Sequence, residues 1–119
     1  SSLYNHIKNG ELKSEGNSIT EGIGSSRVTK NFEQAPIDDA YSINDNDALS
    51  VLFELLEKEG LNLGTSSGIN IVGAIKLAED LGPNKTIVTV LCDTSDKYRS
   101  KMFNKKFLTD KNLPFPKWL

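Results

Sequence analysis

The sequence contains few of the residue types that form cross-links and metal sites. Its 119 residues include one cysteine, one histidine and one methionine. Cys92 cannot form a disulfide within the chain, which favours a reducing compartment, and we expect the cytoplasm. Because there is no second histidine and no cysteine pair, the usual zinc patterns are excluded. No stretch interleaves dense Lys and Arg with aromatic residues, which argues against nucleic acid as the main partner.

Long apolar runs are also missing, so the sequence predicts no membrane span. With 37% hydrophobic and 25% charged residues and a formal net charge of −2, the composition is that of a soluble globular protein. The length suits one domain of ordinary size, and no signal-peptide pattern opens the chain. Because the sequence begins Ser1-Ser2-Leu3 and its only methionine is Met102, we expect a processed product or a piece of a longer protein.

Three helices are predicted with the clearest local signals, besides a short one at residues 3–8. The first follows the capping stretch 44–47 and ends at Gly60, and the second spans residues 69–81 before Gly82-Pro83. A third begins near Lys97. Their spacing predicts buried faces for two of them. The residues of these faces are Ala48, Val51, Leu52, Leu55 and Leu56 in the first helix, and Ile71, Ala74, Ile75 and Ala78 in the second.

Three strands are predicted between these helices, at residues 39–43, 61–63 and 86–92. The last is β-branched and nearly all apolar, which is typical of a parallel strand covered on both faces. The order strand, helix, strand, helix, strand, helix indicates an α/β fold with a parallel sheet and right-handed crossovers. The polar loops 64–68 and 93–96 then leave the carboxyl ends of their strands, where open α/β sheets bind ligands.

The loop Gly64-Thr65-Ser66-Ser67-Gly68 is the stretch on which a functional prediction depends. A turn of small hydroxylated residues before a helix is a common ligand cradle, because the helix N-terminus offers unpaired N–H groups and a partial positive charge. The plain alternative is a serine N-cap in a tight turn. The sequence pattern alone leaves both interpretations open.

A second glycine–serine cluster lies at residues 18–26. Gly22-x-Gly24 is a weak signal, because the dinucleotide pattern needs a third glycine where Arg27 stands. One interpretation is a plain loop. The other is a backbone wall for a small ligand, with Ser25, Ser26 and Arg27 as polar contacts.

The motifs, taken in order, resemble the C-terminal part of a cysteine synthase. This pyridoxal-phosphate family includes O-acetylserine sulfhydrylase and cystathionine β-synthase. The resemblance covers essentially the whole chain and rests on four motifs. They are Glu21-Gly22-Ile23-Gly24, Gly64-Thr65-Ser66-Ser67-Gly68, Val88-Thr89-Val90-Leu91-Cys92-Asp93-Thr94 with Tyr98 and Ser100, and Leu113-Pro114-Phe115-Pro116-Lys117-Trp118-Leu119. The chain departs from the family at Ser26, Thr65 and Ser95, where glycine is usual, and a bulkier Ser26 would narrow the substrate side.

This resemblance implies a fold and an activity. The expected fold is the three-layer α/β sandwich with a largely parallel sheet of fold type II pyridoxal-phosphate enzymes, which is tryptophan synthase β-like. Residues 1–119 would form the C-terminal portion of that catalytic domain. The parent enzyme, a transferase or lyase of cysteine biosynthesis, would convert O-acetylserine and sulfide to cysteine and acetate with pyridoxal 5'-phosphate, as a homodimer. The alternatives are a cystathionine β-synthase-type condensation of serine with homocysteine, or a non-catalytic stand-alone domain.

The resemblance also implies roles for individual residues. Ser66 matches the serine whose hydroxyl bonds the pyridine nitrogen of the cofactor. The substrate-side loop matches Gly22, Ile23, Gly24 and Ser25. The residues matching positions close behind the ring are Ser67, Asp93 and Thr94.

The family's Schiff-base lysine, substrate-carboxylate loop and phosphate loop are expected upstream of Ser1. None of the lysines in this sequence, including Lys76 and Lys85, lies in a matching motif. We therefore expect no catalytic residue within residues 1–119, an inactive chain when isolated, and the remainder of its own domain as its partner.

Overall fold

The structure, a computed structural model, describes residues 2–13, 16–20 and 23–119. The chain divides into two compact units, Ser1–Ser42 and Ile43–Leu119. Within the described ranges, none of the helices has both the length and the apolar character needed to cross a membrane.

Two helices lie in the described part of the first unit. Helix α1 (Ser2–Asn9) confirms the predicted short helix, and the Asn5 side-chain amide donates to the carbonyl of Lys13 at 2.6 Å. Helix α2 (Lys30–Glu33) was not predicted. Its start is fixed by a local signal, since the Thr29 hydroxyl accepts a hydrogen bond from the Phe32 N–H at 3.3 Å.

The second unit begins with helix α3 (Asp45–Glu59), whose two ends confirm the predicted caps. At its start, the Asn44 side-chain oxygen accepts a hydrogen bond from the Asp47 N–H at 2.8 Å. At its end, Gly60 takes a left-handed conformation with φ of 67°, which costs a glycine little.

Helix α4 (Thr65–Leu81) packs against α3. It begins at Thr65 and not at residue 69, and its N-cap is Gly64, without a side-chain capping bond. The N-cap serine interpretation is therefore wrong. The physical reason is that Thr65, Ser67 and Gly68 are buried, so tertiary packing extends the helix through residues whose local preference is for turns.

The buried faces of α3 and α4 differ in part from the predicted ones. In α3, Ala48 and Leu52 are buried as predicted, but the other buried residues are Leu49 and Phe53. In α4, Ile75 is 47% exposed. The buried residues of α4 lie instead in its first half, at Thr65, Ser67, Gly68 and Val72, and the absence of a side chain at Gly68 allows this half to lie close to α3.

The C-terminal part of the unit is a series of short turns and helices. A 3₁₀ helix (Ser95–Tyr98) leads into α5 (Arg99–Met102), and α6 (Lys105–Asp110) follows. Residues 112–119 are irregular as predicted, but they are less packed than expected, since Trp118 is 53% exposed and Phe115 is 38% exposed. The Trp118 ring lies 6.4 Å from that of Phe53, nearly edge-on.

No strand forms among the described residues, so the predicted strands 39–43, 61–63 and 86–92 are not observed. Nor is the last of them covered on both faces, since Val88 is 86% exposed and Val90 is 64% exposed. A strand exists only through hydrogen bonds to a neighbouring strand. The sequence of 86–92 has the strand pattern, and what it lacks here is flanking strands.

The contact between α3 and α4 predicts opposite effects for two glycines of the same helix. A Cβ at Gly68 would lie 2.7 Å from the Ala48 carbonyl oxygen, whereas a Cβ at Gly73 meets nothing within 4 Å. We expect Gly68→Ala to lower the free energy of unfolding by about 1–3 kcal/mol. Gly73→Ala should raise it by about 0.5–1 kcal/mol, because alanine favours the helix. Urea unfolding of both variants tests this contrast, and a Gly68→Ala protein as stable as Gly73→Ala would contradict it.

Candidate functional site

The candidate site is the first turn of α4. Gly64 is extended, with φ of −77° and ψ of 168°. Its carbonyl oxygen accepts hydrogen bonds from the N–H groups of Ser67 at 3.1 Å and Gly68 at 3.4 Å. The turn thus lies at the N-terminus of a 17-residue helix, where backbone N–H groups and the helix dipole give a partial positive charge.

The two consecutive serines of this turn have different surroundings. Ser67 is 0% exposed, and its hydroxyl oxygen accepts a hydrogen bond from the Cys92 N–H at 3.1 Å. Ser66 is half-buried. In the described part of the chain its hydroxyl has no hydrogen-bond partner. Ser67 therefore fixes the helix to the segment at Cys92, while the Ser66 hydroxyl remains available to a ligand.

Asp93 and Tyr98 lie directly against Gly64. The Gly64 N–H donates to the Asp93 carbonyl oxygen at 2.8 Å, and the Tyr98 hydroxyl donates to Asp93 Oδ2 at 2.9 Å. A Cβ at residue 64 would lie 2.1 Å from Asp93 Oδ1 and 2.8 Å from Tyr98 Cε2. Only glycine fits at this position.

Two buried side-chain oxygens at the turn have no hydrogen-bond partner, namely Thr65 Oγ1 and Asp93 Oδ1. Buried polar atoms are usually paired, and an unpaired one costs free energy. Thr65 is itself only 2% exposed. Two unpaired oxygens beside Gly64 make this turn the place in the unit where a bound polar group or water would bring the largest gain.

Thr94 and Ser95 form hydrogen bonds next to the turn, with Asp96 and Asn62. The Thr94 hydroxyl donates to Asp96 Oδ2 at 2.9 Å. This bond, with a second contribution from Arg99, lowers the pKa of the Asp96 carboxyl. The Ser95 side chain is buried, and its hydroxyl donates to the Asn62 side chain. Serine at position 95 thus provides a link between residues 62 and 95.

The substrate-side loop belongs to the first unit. Gly22 lies outside the described residues. Ile23 is exposed, Gly24 has φ of 67°, and the Ser25 hydroxyl accepts a hydrogen bond from the Arg27 N–H at 3.2 Å. The structure therefore brings Ser66, Ser67 and Asp93 together around Gly64. The loop belongs to the other unit, Ser1–Ser42.

Tyr98 is the residue of this cluster to which sequence reasoning gave no role. It stands in the motif after residues 88–94, but its hydrogen bond to Asp93 depends on the 3₁₀ helix that returns the chain toward Gly64. No local pattern predicts that return. The crowding at Gly64 is likewise a tertiary effect.

Comparison with known proteins gives concordant results. A cysteine synthase 1 of Neurospora crassa is 39% identical over 93% of this chain and 31% of its own length. A cysteine synthase of Dictyostelium discoideum is 44% identical over 80% of this chain and 25% of its own length. An O-acetylserine dependent cystathionine beta-synthase of Bacillus subtilis is 38% identical over 69% of this chain and 27% of its own length.

A solved structure is similar as well. The crystal structure of a hydrogen sulfide-producing enzyme matches 88% of this chain and 32% of its own, with a TM-score of 0.67 and 30% identity. The chain thus spans about a quarter to a third of the length of these relatives. The family model described as pyridoxal-phosphate dependent enzyme matches residues 1–93. With this match and the related sequences, the chain belongs to the family of pyridoxal-phosphate dependent enzymes, as part of a cysteine synthase-like member.

Proposed function

We propose that this chain forms the wall of a pyridoxal 5'-phosphate site at the pyridine end of the cofactor, with the Ser66 hydroxyl bonded to the ring nitrogen. The observation that carries the proposal is the contrast at the first turn of α4. Ser67 is buried and bonded to Cys92, whereas Ser66 is half-buried with its hydroxyl available.

The residues present fit this group. A serine hydroxyl both donates and accepts hydrogen bonds, so it can pair with a pyridine nitrogen in either protonation state. Next to it, Thr65 Oγ1 is a buried oxygen without a partner, as expected of a turn completed by a ligand or water.

The chemistry follows from the neutral hydroxyl. Pyridoxal phosphate supplies an electron sink for bond breaking at the amino-acid substrate. Ser66 does not hold a proton on the ring nitrogen as a carboxylate would, which weakens that sink and suits β-elimination. Ser67 and Asp93 hold the turn in place through their hydrogen bonds with the Cys92 N–H and the Gly64 N–H. The Thr94 hydroxyl donates to Asp96. We assign Gly22, Ile23, Gly24 and Ser25 to the substrate side on the family match alone.

For the whole protein we propose cysteine synthesis from O-acetylserine and sulfide, with release of acetate. The support is that the relatives from Neurospora and Dictyostelium, 39% and 44% identical, are both cysteine synthases. The second candidate is a cystathionine β-synthase-type reaction, which the Bacillus relative favours. A non-catalytic stand-alone domain is the third alternative.

An assay of the full-length protein, loaded with cofactor, distinguishes these functions. Cysteine synthesis requires cysteine to form from O-acetylserine and sulfide at a higher kcat/KM than cystathionine forms from serine and homocysteine. The reverse order supports the second candidate. No turnover of either pair, in a protein shown by absorbance to bind the cofactor, overturns both reactions.

We further propose that residues 86–92 are a strand of a parallel sheet that other parts of the protein complete. One edge is already occupied by α4, since Asn70 donates to the Val90 carbonyl at 2.8 Å and Cys92 donates to Ser67. In a strand, alternate residues direct their backbone groups to the same side. The groups of Thr89 and Leu91 therefore face the opposite edge, toward a flanking strand. A homodimer remains part of this proposal.

The exposed side chains of this segment predict self-association of the isolated chain. A polypeptide of residues 1–119 leaves Val88 and Val90 in water, and an exposed apolar edge is a template for pairing between copies. We expect the wild-type piece to form aggregates and a Val88→Lys, Val90→Lys double variant to reduce them, as measured by light scattering. The matched control is Lys76→Ala. A soluble monomer with a cooperative unfolding transition would contradict the expectation.

The adjacent serines give a sharp test of the cofactor assignment in the full-length protein. We expect Ser66→Ala to weaken pyridoxal phosphate binding by about two- to tenfold, because one neutral hydrogen bond is lost. Ser67→Ala should instead lower the free energy of unfolding by about 1 kcal/mol, because the Cys92 N–H loses its acceptor. Ser66→Asp should favour a protonated ring nitrogen through charge attraction and slow acetate release.

Cofactor titration, urea unfolding and single-turnover acetate release separate these three effects. If Ser66→Asp matches the wild type in acetate release while Ser67→Ala is the variant that fails to bind cofactor, the assignment belongs to Ser67.

A further inference from the structure

We infer that Tyr98 is a positioning residue for the cofactor-binding turn, acting through Asp93 and Gly64 on Ser66. This inference rests on the proposed function of Ser66. Tyr98 lies in a different part of the chain from this turn. The proposed function above gives Tyr98 no role.

The first step is the link between Tyr98 and Asp93. The Tyr98 hydroxyl donates to Asp93 Oδ2 at 2.9 Å, and both side chains are partly buried. The cation of Lys97 also lies near this oxygen, at 3.9 Å, but its side chain is 77% exposed. Exposed ion pairs of this kind contribute little. The hydroxyl is therefore the principal group that orients the carboxylate.

The second step is the link between Asp93 and Gly64. The backbone of Asp93 accepts a hydrogen bond from the Gly64 N–H at 2.8 Å. Its side chain also lies beside the same residue, because Oδ1 is 2.1 Å from the point that a Cβ at position 64 would occupy. The Tyr98 ring closes the contact from its own side, with Cε2 at 2.8 Å from that point. Gly64 is thus held by Asp93 and Tyr98 together.

The third step leads from Gly64 to Ser66. Gly64 is the N-cap of α4, and its carbonyl oxygen accepts the first N–H groups of the helix, from Ser67 and Gly68. Its position therefore sets the position of the first turn, in which Ser66 lies. Rotation of the Asp93 carboxylate, after loss of the Tyr98 hydrogen bond, would release the contact that fixes this turn.

The test compares variants of the full-length protein by two measurements that do not depend on turnover. They are the dissociation constant of pyridoxal phosphate, obtained by titrating the cofactor-free protein, and the pH dependence of the visible absorption band of the loaded protein. Tyr98→Phe removes only the hydroxyl. The control is Thr109→Val, which removes an exposed hydroxyl bonded to the Lys105 carbonyl at 2.8 Å in the same unit.

We expect Tyr98→Phe to raise the dissociation constant by about two- to fivefold and to shift the pH profile in the direction that Ser66→Ala shifts it. Thr109→Val should leave both unchanged. In a Ser66→Ala background, Tyr98→Phe should add no further change, because its effect passes through the missing hydroxyl.

Two results overturn the inference and are distinguishable from failure of the proposed function. If Ser66→Ala changes binding but Tyr98→Phe does not, the positioning role is wrong and the function of Ser66 stands. The same conclusion follows if the Tyr98→Phe effect is undiminished in the Ser66→Ala background. If Ser66→Ala itself changes neither measurement, the proposed function fails, and the inference fails with it.

Discussion

The contact at Gly64 is the constraint on which the second unit depends. The Asp93 carboxylate and the Tyr98 ring occupy the space that a side chain at position 64 would need. The Gly64 N–H is also bonded to the Asp93 carbonyl. This arrangement joins two segments about thirty residues apart in sequence. Helix α4 begins where it does because its N-cap is held from outside the helix, in spite of the weak helix preference of the residues that follow.

A second glycine, Gly68, allows the same helix to pack closely against α3. Gly68 lies against Ala48 and Leu52 of α3, so α4 is held at two points four residues apart, on two different neighbours. Ser66 lies between these points. A functional group benefits from such support, because precise placement requires neighbours whose own positions are fixed. This support has a cost in free energy, because Thr65 Oγ1 and Asp93 Oδ1 are buried without hydrogen-bond partners.

The features that the sequence predicts well are those decided by nearby residues. The caps of α3 depend on residues within one turn, through the side chain of Asn44 and the left-handed conformation of Gly60. Of the site, motif matching identified Ser66, Ser67 and Asp93, and the structure places them around Gly64. The match also assigned a loop that begins outside the described residues and continues through Gly24.

The features that were missed depend on distant parts of the chain. Residues 86–92 have the composition of a strand, but a strand requires neighbours that the described residues do not provide. The early start of α4 and the exposure of Ile75 follow from packing that periodicity does not reveal. The role of Tyr98 depends on a 3₁₀ turn, whose direction no local residue pattern encodes.

Because Ser66 and Ser67 are adjacent, ligand binding at Ser66 would affect the hydrogen bond between Ser67 and Cys92. Ser66 is the serine proposed to bind the ligand, and Ser67 accepts a hydrogen bond from the Cys92 amide; both belong to the same helical turn. A ligand that orders this turn therefore also stabilises the closed state of the Cys92 hydrogen bond. By thermodynamic linkage, the factor by which the closed Cys92 hydrogen bond favours ligand binding equals the factor by which the ligand favours the closed hydrogen bond. The exchange rate of the Cys92 amide proton then reports occupancy of the site.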